Sequence, residues 1–137
     1  ASPACGGLAM TGRILSVVER AYRATVEEQD DTVLWFTWTV KKAGAEIDIL
    51  LRGNAVNYAV PGQEVSGLQF GGVSFGGPVV IEHDLDSMMK DGIQVYAVKD
   101  DLESHGIDPS RLLKGIKLIS SQEIASLFSQ FDQIWHW

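Results

Sequence analysis

Asp91–Gly106 reads DGIQVYAVKDDLESHG. A short apolar run, Ile93–Val98, follows Gly92 and gives way abruptly to Lys99, Asp100 and Asp101. Leu102–His105 reads as one short helical piece stopped by Gly106. An apolar run too short to cross a membrane, followed at once by polar residues and a helix, is the pattern of a buried parallel strand feeding a crossover. In open α/β sheets, ligands collect at the carboxyl ends of such strands. Val98, Lys99 and Asp100 therefore stand where a site is expected.

On the N-terminal side, Ile14–Val18 (ILSVV) reads as a first strand because it is β-branched, although Ile14, Val17, Val18 and Ala21 also fall at helical spacing. Asp31 is a candidate cap for a helix over Thr32–Lys42. That stretch, TVLWFTWTVKK, conflicts with a helix locally: Leu34, Phe36, Trp38 and Val40 alternate as in a strand. A hairpin turning at Lys42–Ala45 is the rival reading, and Gly44 suits either a helix end or a turn. Glu46–Leu51 (EIDILL) reads as a second strand closed by Gly53, and Asn54–Val60 as a short helix stopped by Pro61. Pro61–Pro78 holds six glycines and no charge except Glu64, so it reads as a long loop with short extended pieces at Leu68–Phe70 and Val73–Phe75. It has no lysine and no phosphate-loop spacing.

On the C-terminal side, Asp84 is a candidate N-cap for Leu85–Lys90, with Leu85, Met88 and Met89 on one face. Asp108–Pro109 is a cap followed by proline at the first helical position. Ile116–Ile119 reads as a brief strand. Ser120–Glu123 forms a capping box, with Ile124, Leu127, Phe128 and Phe131 as the apolar stripe behind it. Gln133–Trp137 (QIWHW) would close the sheet. Alternating βα units of this length imply a single three-layer α/β domain with a mostly parallel sheet of about five strands.

The composition narrows the function. The chain has 137 residues, enough for one domain with a core. Its net charge of −7 argues against nucleic acid and against an anionic membrane surface. No apolar run reaches the ~20 residues of a membrane helix. One cysteine excludes an internal disulfide and fits a cytoplasmic protein. Residues 1–9, ASPACGGLA, lack the features of a signal peptide. Met10 followed by TGRILSVV has the form of a natural start, so residues 1–9 are expected to be a disordered cloning remnant and residues 10–137 the domain.

VYAVKDDLESHGI, then GIKLIS, a capped helix and a terminal DQIWHW, together with AGAEIDILLRGNAV, resemble the DsrE/DsrF/DsrH (Tus) sulfur-relay family. The resemblance covers Arg13 to Trp137, most weakly in the glycine-rich loop. It implies a small α/β fold with a central parallel sheet, assembly as trimers or hexamers, and, for several members, passage of persulfide sulfur between cysteines in the cytoplasm. It also favours the helix over Thr32–Lys42. Sulfur-carrying members place a cysteine at the end of the central strand. Here that position is Val98, which has no thiolate and holds no persulfide. The only cysteine, Cys5, precedes the first strand.

Among candidate groups, His83, His105 and His136 are too scattered for metal-ligand spacing. His136, between two tryptophans, reads as a packed or interface histidine. Asp100 and Asp101 could bind a cation, but read more simply as an N-cap. One constellation remains. Glu19, Arg20 and Arg23 follow the first strand; Arg52, Asn54 and Asn57 follow the second; Lys99 and Asp100 follow the central one. In a parallel sheet all lie at one end, where three arginines and a lysine suit a small anion. The plain alternative is a solvated loop rim with internal ion pairs.

The expectation is a DsrE-like protein that binds a small anionic ligand or a partner, with no metal and no cofactor. The alternatives are an active persulfide sulfurtransferase using Cys5 or a partner's cysteine, and a purely structural oligomer. Four tryptophans and five phenylalanines in a chain this small favour self-association, with part of Leu68–Phe75 in the contact.

Overall fold

The structure is a computed structural model that describes residues 12–21, 31–63, 68–75 and 81–137. Five strands form one all-parallel sheet: β1 (Arg13–Val18), β2 (Glu46–Leu51), β5 (Val95–Val98), β6 (Lys117–Ile119) and β7 (Gln133–His136), in the order β6-β5-β2-β1-β7. Two more strands, β3 (Leu68–Phe70) and β4 (Val73–Phe75), form a separate antiparallel hairpin where the glycine-rich loop was expected to hold extended pieces.

The strand order explains the layers. From β1 through β2 and β5 to β6 the chain steps in one direction, so connections of one hand fall on one face. The step from β6 to β7 runs back across the whole sheet on the other face. On the first face, helices α1 (Thr32–Lys42) and α2 (Ile81–Lys90) pack Val33, Leu34, Leu85 and Met88 against Ile49, Leu51, Val95 and Ala97. On the second, the short helix α4 (Ile124–Phe128) and Phe131 cover Leu15, Val17, Leu50, Tyr96 and Val98. Each fully buried Leu or Ile contributes roughly 1.5–3 kcal/mol.

Helix α1 forms despite its strand-like residues, which removes the rival hairpin at Lys42–Ala45. The Asp31 carboxylate accepts the Val33 and Leu34 N–H groups at 2.9 and 3.1 Å, and Lys41 and Lys42 stand in the last turn, where cations complement the helix dipole. Val33, Leu34 and Thr37 are buried, a helical spacing, while Trp35 and Phe36 are left exposed. The stretch after β2 is a 3-10 helix over Gly53–Ala59, close to the short helix expected there.

Four local expectations are corrected. Helix α2 starts at Ile81, so Asp84 lies inside it and does not cap it. The central strand pairs only from Val95; Ile93 is buried ahead of it. Helix α3 (Lys99–Ser104) follows β5 with no intervening turn, so the helical piece begins three residues before Leu102. For the same reason Asp100 and Asp101 fall within the first turn and do not cap it; the N-cap position is Val98. The expected capping box at Ser120–Glu123 and the cap at Asp108 are both present. Residues 1–9, Cys5, Arg23 and Glu64 lie outside the described residues. No helix among the described residues is long and apolar enough to cross a membrane.

Candidate functional site

The carboxyl ends of β7, β1 and β2 lie side by side. The register pairs Val17 with both His136 and Leu50, and Val18 with Leu51. Carried one residue past β1, it sets Glu19 between Arg52 on one side and the end of β7 on the other. Backbone hydrogen bonds extend the alignment: Arg52 N–H donates to the Val18 carbonyl at 3.0 Å, and Ala55 N–H to the Glu19 carbonyl at 3.2 Å. Gly53 permits this approach. Its φ is +57°, and a Cβ there would stand 3.3 Å from the Glu19 carbonyl oxygen.

The result is one carboxylate between two nitrogen donors. Glu19 Oε1 accepts from Arg52 Nε at 3.2 Å and from His136 Nε2 at 3.1 Å. All three side chains are partly open to solvent, at 38%, 36% and 58%. Among the described residues, Glu19 Oε2 and the terminal nitrogens of Arg52 have no partner.

A second group ties the loop after β2 to α3. Asp101 Oδ2 accepts the Gly53 N–H at 2.8 Å. His105 sets Nδ1 2.8 Å from the Asp101 carbonyl and Nε2 2.9 Å from Asn54 Oδ1. Asn57 Nδ2 donates to the Asn54 carbonyl at 2.8 Å. Asp100 accepts the Ser121 hydroxyl. Apolar contacts among Val56, Val60, Leu102 and Ile107 lie beneath.

Behind the rim sits a third, closed group. Asp31 is fully buried. Besides the two helix N–H groups it accepts the Tyr58 hydroxyl at 2.5 Å. At the opposite end of the sheet, Arg13 pairs with Asp48 at 3.3 Å and lies 4.6 Å over the Phe131 ring. There, burial pushes the Tyr96 phenol above its usual range, Asp48's charge adds to the rise, and Arg13 opposes it.

The expected residues thus divide. Glu19 and Arg52 meet directly; Asn54 and Asn57 join the α3 tie; Asp100 bonds Ser121; Arg20 and Lys99 are exposed. His136 and His105 do not belong to the expected constellation, and both hold positions in it. No local pattern marks His136. Its place follows from β7 lying beside β1, a pairing across most of the chain. Among the described residues no cluster of three or more His, Cys, Asp or Glu could hold a metal.

Fold and rim together define a five-stranded parallel α/β domain whose charged groups gather at the carboxyl edge. Solved structures share this fold. The ychN protein of E. coli matches with a TM-score of 0.70 at 17% identity, over 91% of this chain and 98% of that one. BT1422 of Bacteroides thetaiotaomicron, a conserved protein of unknown function, matches at 0.62 and 18%, over 90% of this chain and 94% of that one. MTH1491 of Methanobacterium thermoautotrophicum, also of unknown function, matches at 0.59 and 15%, over 89% and 96%. No family's sequence profile matches the chain, and no curated protein sequence does.

Proposed function

We propose that this chain is a DsrE-like protein that performs no sulfur transfer by itself, works in a reducing cytoplasm, and binds a small anionic ligand or a partner subunit as a homo-oligomer. The observation that carries the reading is Val98. It ends the central strand, where sulfur-carrying members of the resembled family place a cysteine, and its side chain is 1% exposed in an apolar cluster. A thiolate nucleophile needs an accessible sulfur, and this position offers a sealed hydrocarbon. The ligand part of the reading rests on Glu19, Arg52 and His136 at the neighbouring strand ends. Arg20, Arg23, Asn54, Asn57, Lys99 and Asp100 are proposed as the surrounding rim.

Self-association, as a trimer or hexamer, is supported by exposed apolar side chains. Trp35 is 54% exposed and Val73, at the tip of the β3–β4 hairpin, 56%. Phe36 contacts the rings of Trp135 and Trp137 at 5.9 and 5.8 Å between centroids and is itself partly open. Two experiments test the reading. Light scattering after size exclusion is expected to give a multiple of the 15.0 kDa chain mass; a monomer at micromolar concentration sinks the oligomer. Mass spectrometry after incubation with a persulfide donor is expected to show no added sulfur. A sulfur adduct on Cys5 would replace this reading with an active sulfurtransferase.

A further inference from the structure

We propose that Arg52 and His136 are the two arms of a receptor for a small carboxylate, and that Glu19 is a tethered stand-in that fills it when no ligand is bound. The proposal rests on the reading that this end of the sheet binds a small anion; it adds the class of anion, a second binding residue and an internal competitor.

The argument is geometric. Three adjacent strands deliver the three side chains to one edge, with the carboxylate on the middle strand and a nitrogen donor on each side. Both donors converge on a single oxygen, Oε1. A guanidinium can grip a carboxylate with two parallel N–H groups, the arrangement of a strong pair. Here Arg52 offers only Nε, at 3.2 Å, and its terminal nitrogens engage nothing among the described residues. Glu19 therefore holds the receptor with half of its own capacity and half of arginine's. Its backbone explains the limit. Glu19 N–H donates to the Trp137 carbonyl and the Glu19 carbonyl accepts from Ala55, so the main chain is fixed at both ends and the side chain cannot turn to a two-point grip. A free carboxylate carries no such restraint.

The exposure of the group fits exchange. With each side chain a third or more open, the internal pairs are screened by water and individually weak. The buried Asp31, by contrast, has no oxygen to spare. A ligand carboxylate entering at Arg52 displaces Glu19 outward into solvent, with no rearrangement of strands.

The test uses the full chain and acetate as the probe, followed by the NMR shifts of the Arg52 Nε–H and the His136 ring. In the natural sequence acetate is expected to bind weakly. Glu19→Gln keeps the shape and removes the competing charge, and affinity is expected to rise about tenfold, the scale of two exposed ion pairs lost. Adding Arg52→Gln, or His136→Ala, to Glu19→Gln is expected to reverse the gain. Equal affinity with and without Glu19→Gln overturns the stand-in, and a gain insensitive to His136→Ala overturns the two-armed receptor. Inorganic phosphate serves as the second probe. If phosphate shifts Arg52 and acetate does not, anion binding stands and the carboxylate assignment falls. If neither anion shifts any residue of this edge in either chain, both the assignment and the anion-binding reading fall.

Discussion

Two carboxylates on the carboxyl side of the sheet are used in opposite ways. Asp31 is fully buried and its two oxygens accept two helix N–H groups and a tyrosine hydroxyl. Glu19 is partly exposed, meets two donors on one oxygen, and leaves the other unengaged among the described residues. The first arrangement has no capacity left, and any change in it opens an unpaired buried group. The second has spare acceptors and spare donors at once. The difference teaches where to look for exchange with solvent: at the charge whose partners are only partly used, not at the best-satisfied one.

The comparison breaks first at Asp31. Asp31→Ala removes the cap of α1 and strands the Tyr58 hydroxyl, so a loss of about 3 kcal/mol is expected from the cap and the orphaned donor together. Denaturant unfolding measures it, and a loss below ~1 kcal/mol would contradict the assignment of Asp31 as fully committed. Gly53→Ala comes next. A side chain at φ +57° and 3.3 Å from the Glu19 carbonyl is expected to cost about 1–2 kcal/mol. It should also weaken the Glu19–Arg52 contact, visible as a changed Arg52 Nε–H shift. Glu19→Gln is expected to change stability by less than about 1 kcal/mol, the range of an exposed pair. A cost as large as that of Asp31→Ala would erase the distinction between the two carboxylates.

The smallest effect lies at the amino end. The raised Tyr96 phenol binds its proton more tightly in the folded chain than in the unfolded one. Its contribution is therefore complete below the ordinary tyrosine range and is lost as pH rises past about 10. Tyr96→Phe is expected to flatten that part of the alkaline stability curve. An unchanged slope would show that burial at Tyr96 does not favour the neutral phenol.

Most strands are legible in the residues themselves, because a strand buried on both faces is written as a continuous apolar run. EIDILL and VYAV need no neighbour to be recognised. Helix α1 is different. Its alternation of Leu34, Phe36, Trp38 and Val40 favours a strand, and what overrides it is the Asp31 cap and the burial of Val33, Leu34 and Thr37 against the sheet. At the site, Glu19 and Arg52 are readable as residues that end neighbouring strands. His136 is not, because nothing near it in the sequence says that β7 returns beside β1. Asp101 and His105 look like an ordinary helix start and end, and their bonds to Gly53 and Asn54 depend on two loops that meet only in the folded sheet.

That return of β7 has a consequence for how the chain comes off the ribosome. Residues 133–136 pair with residues 14–17, and every other strand of the large sheet is made before them. β1, β2, β5 and β6 already form a contiguous block in spatial order. During synthesis that block presents the open side of β1, a row of free backbone donors and acceptors along the apolar segment ILSVV, to whatever is near. β7 is the seal that closes it, and the interval before the seal arrives is when nascent chains are most exposed to pairing with one another.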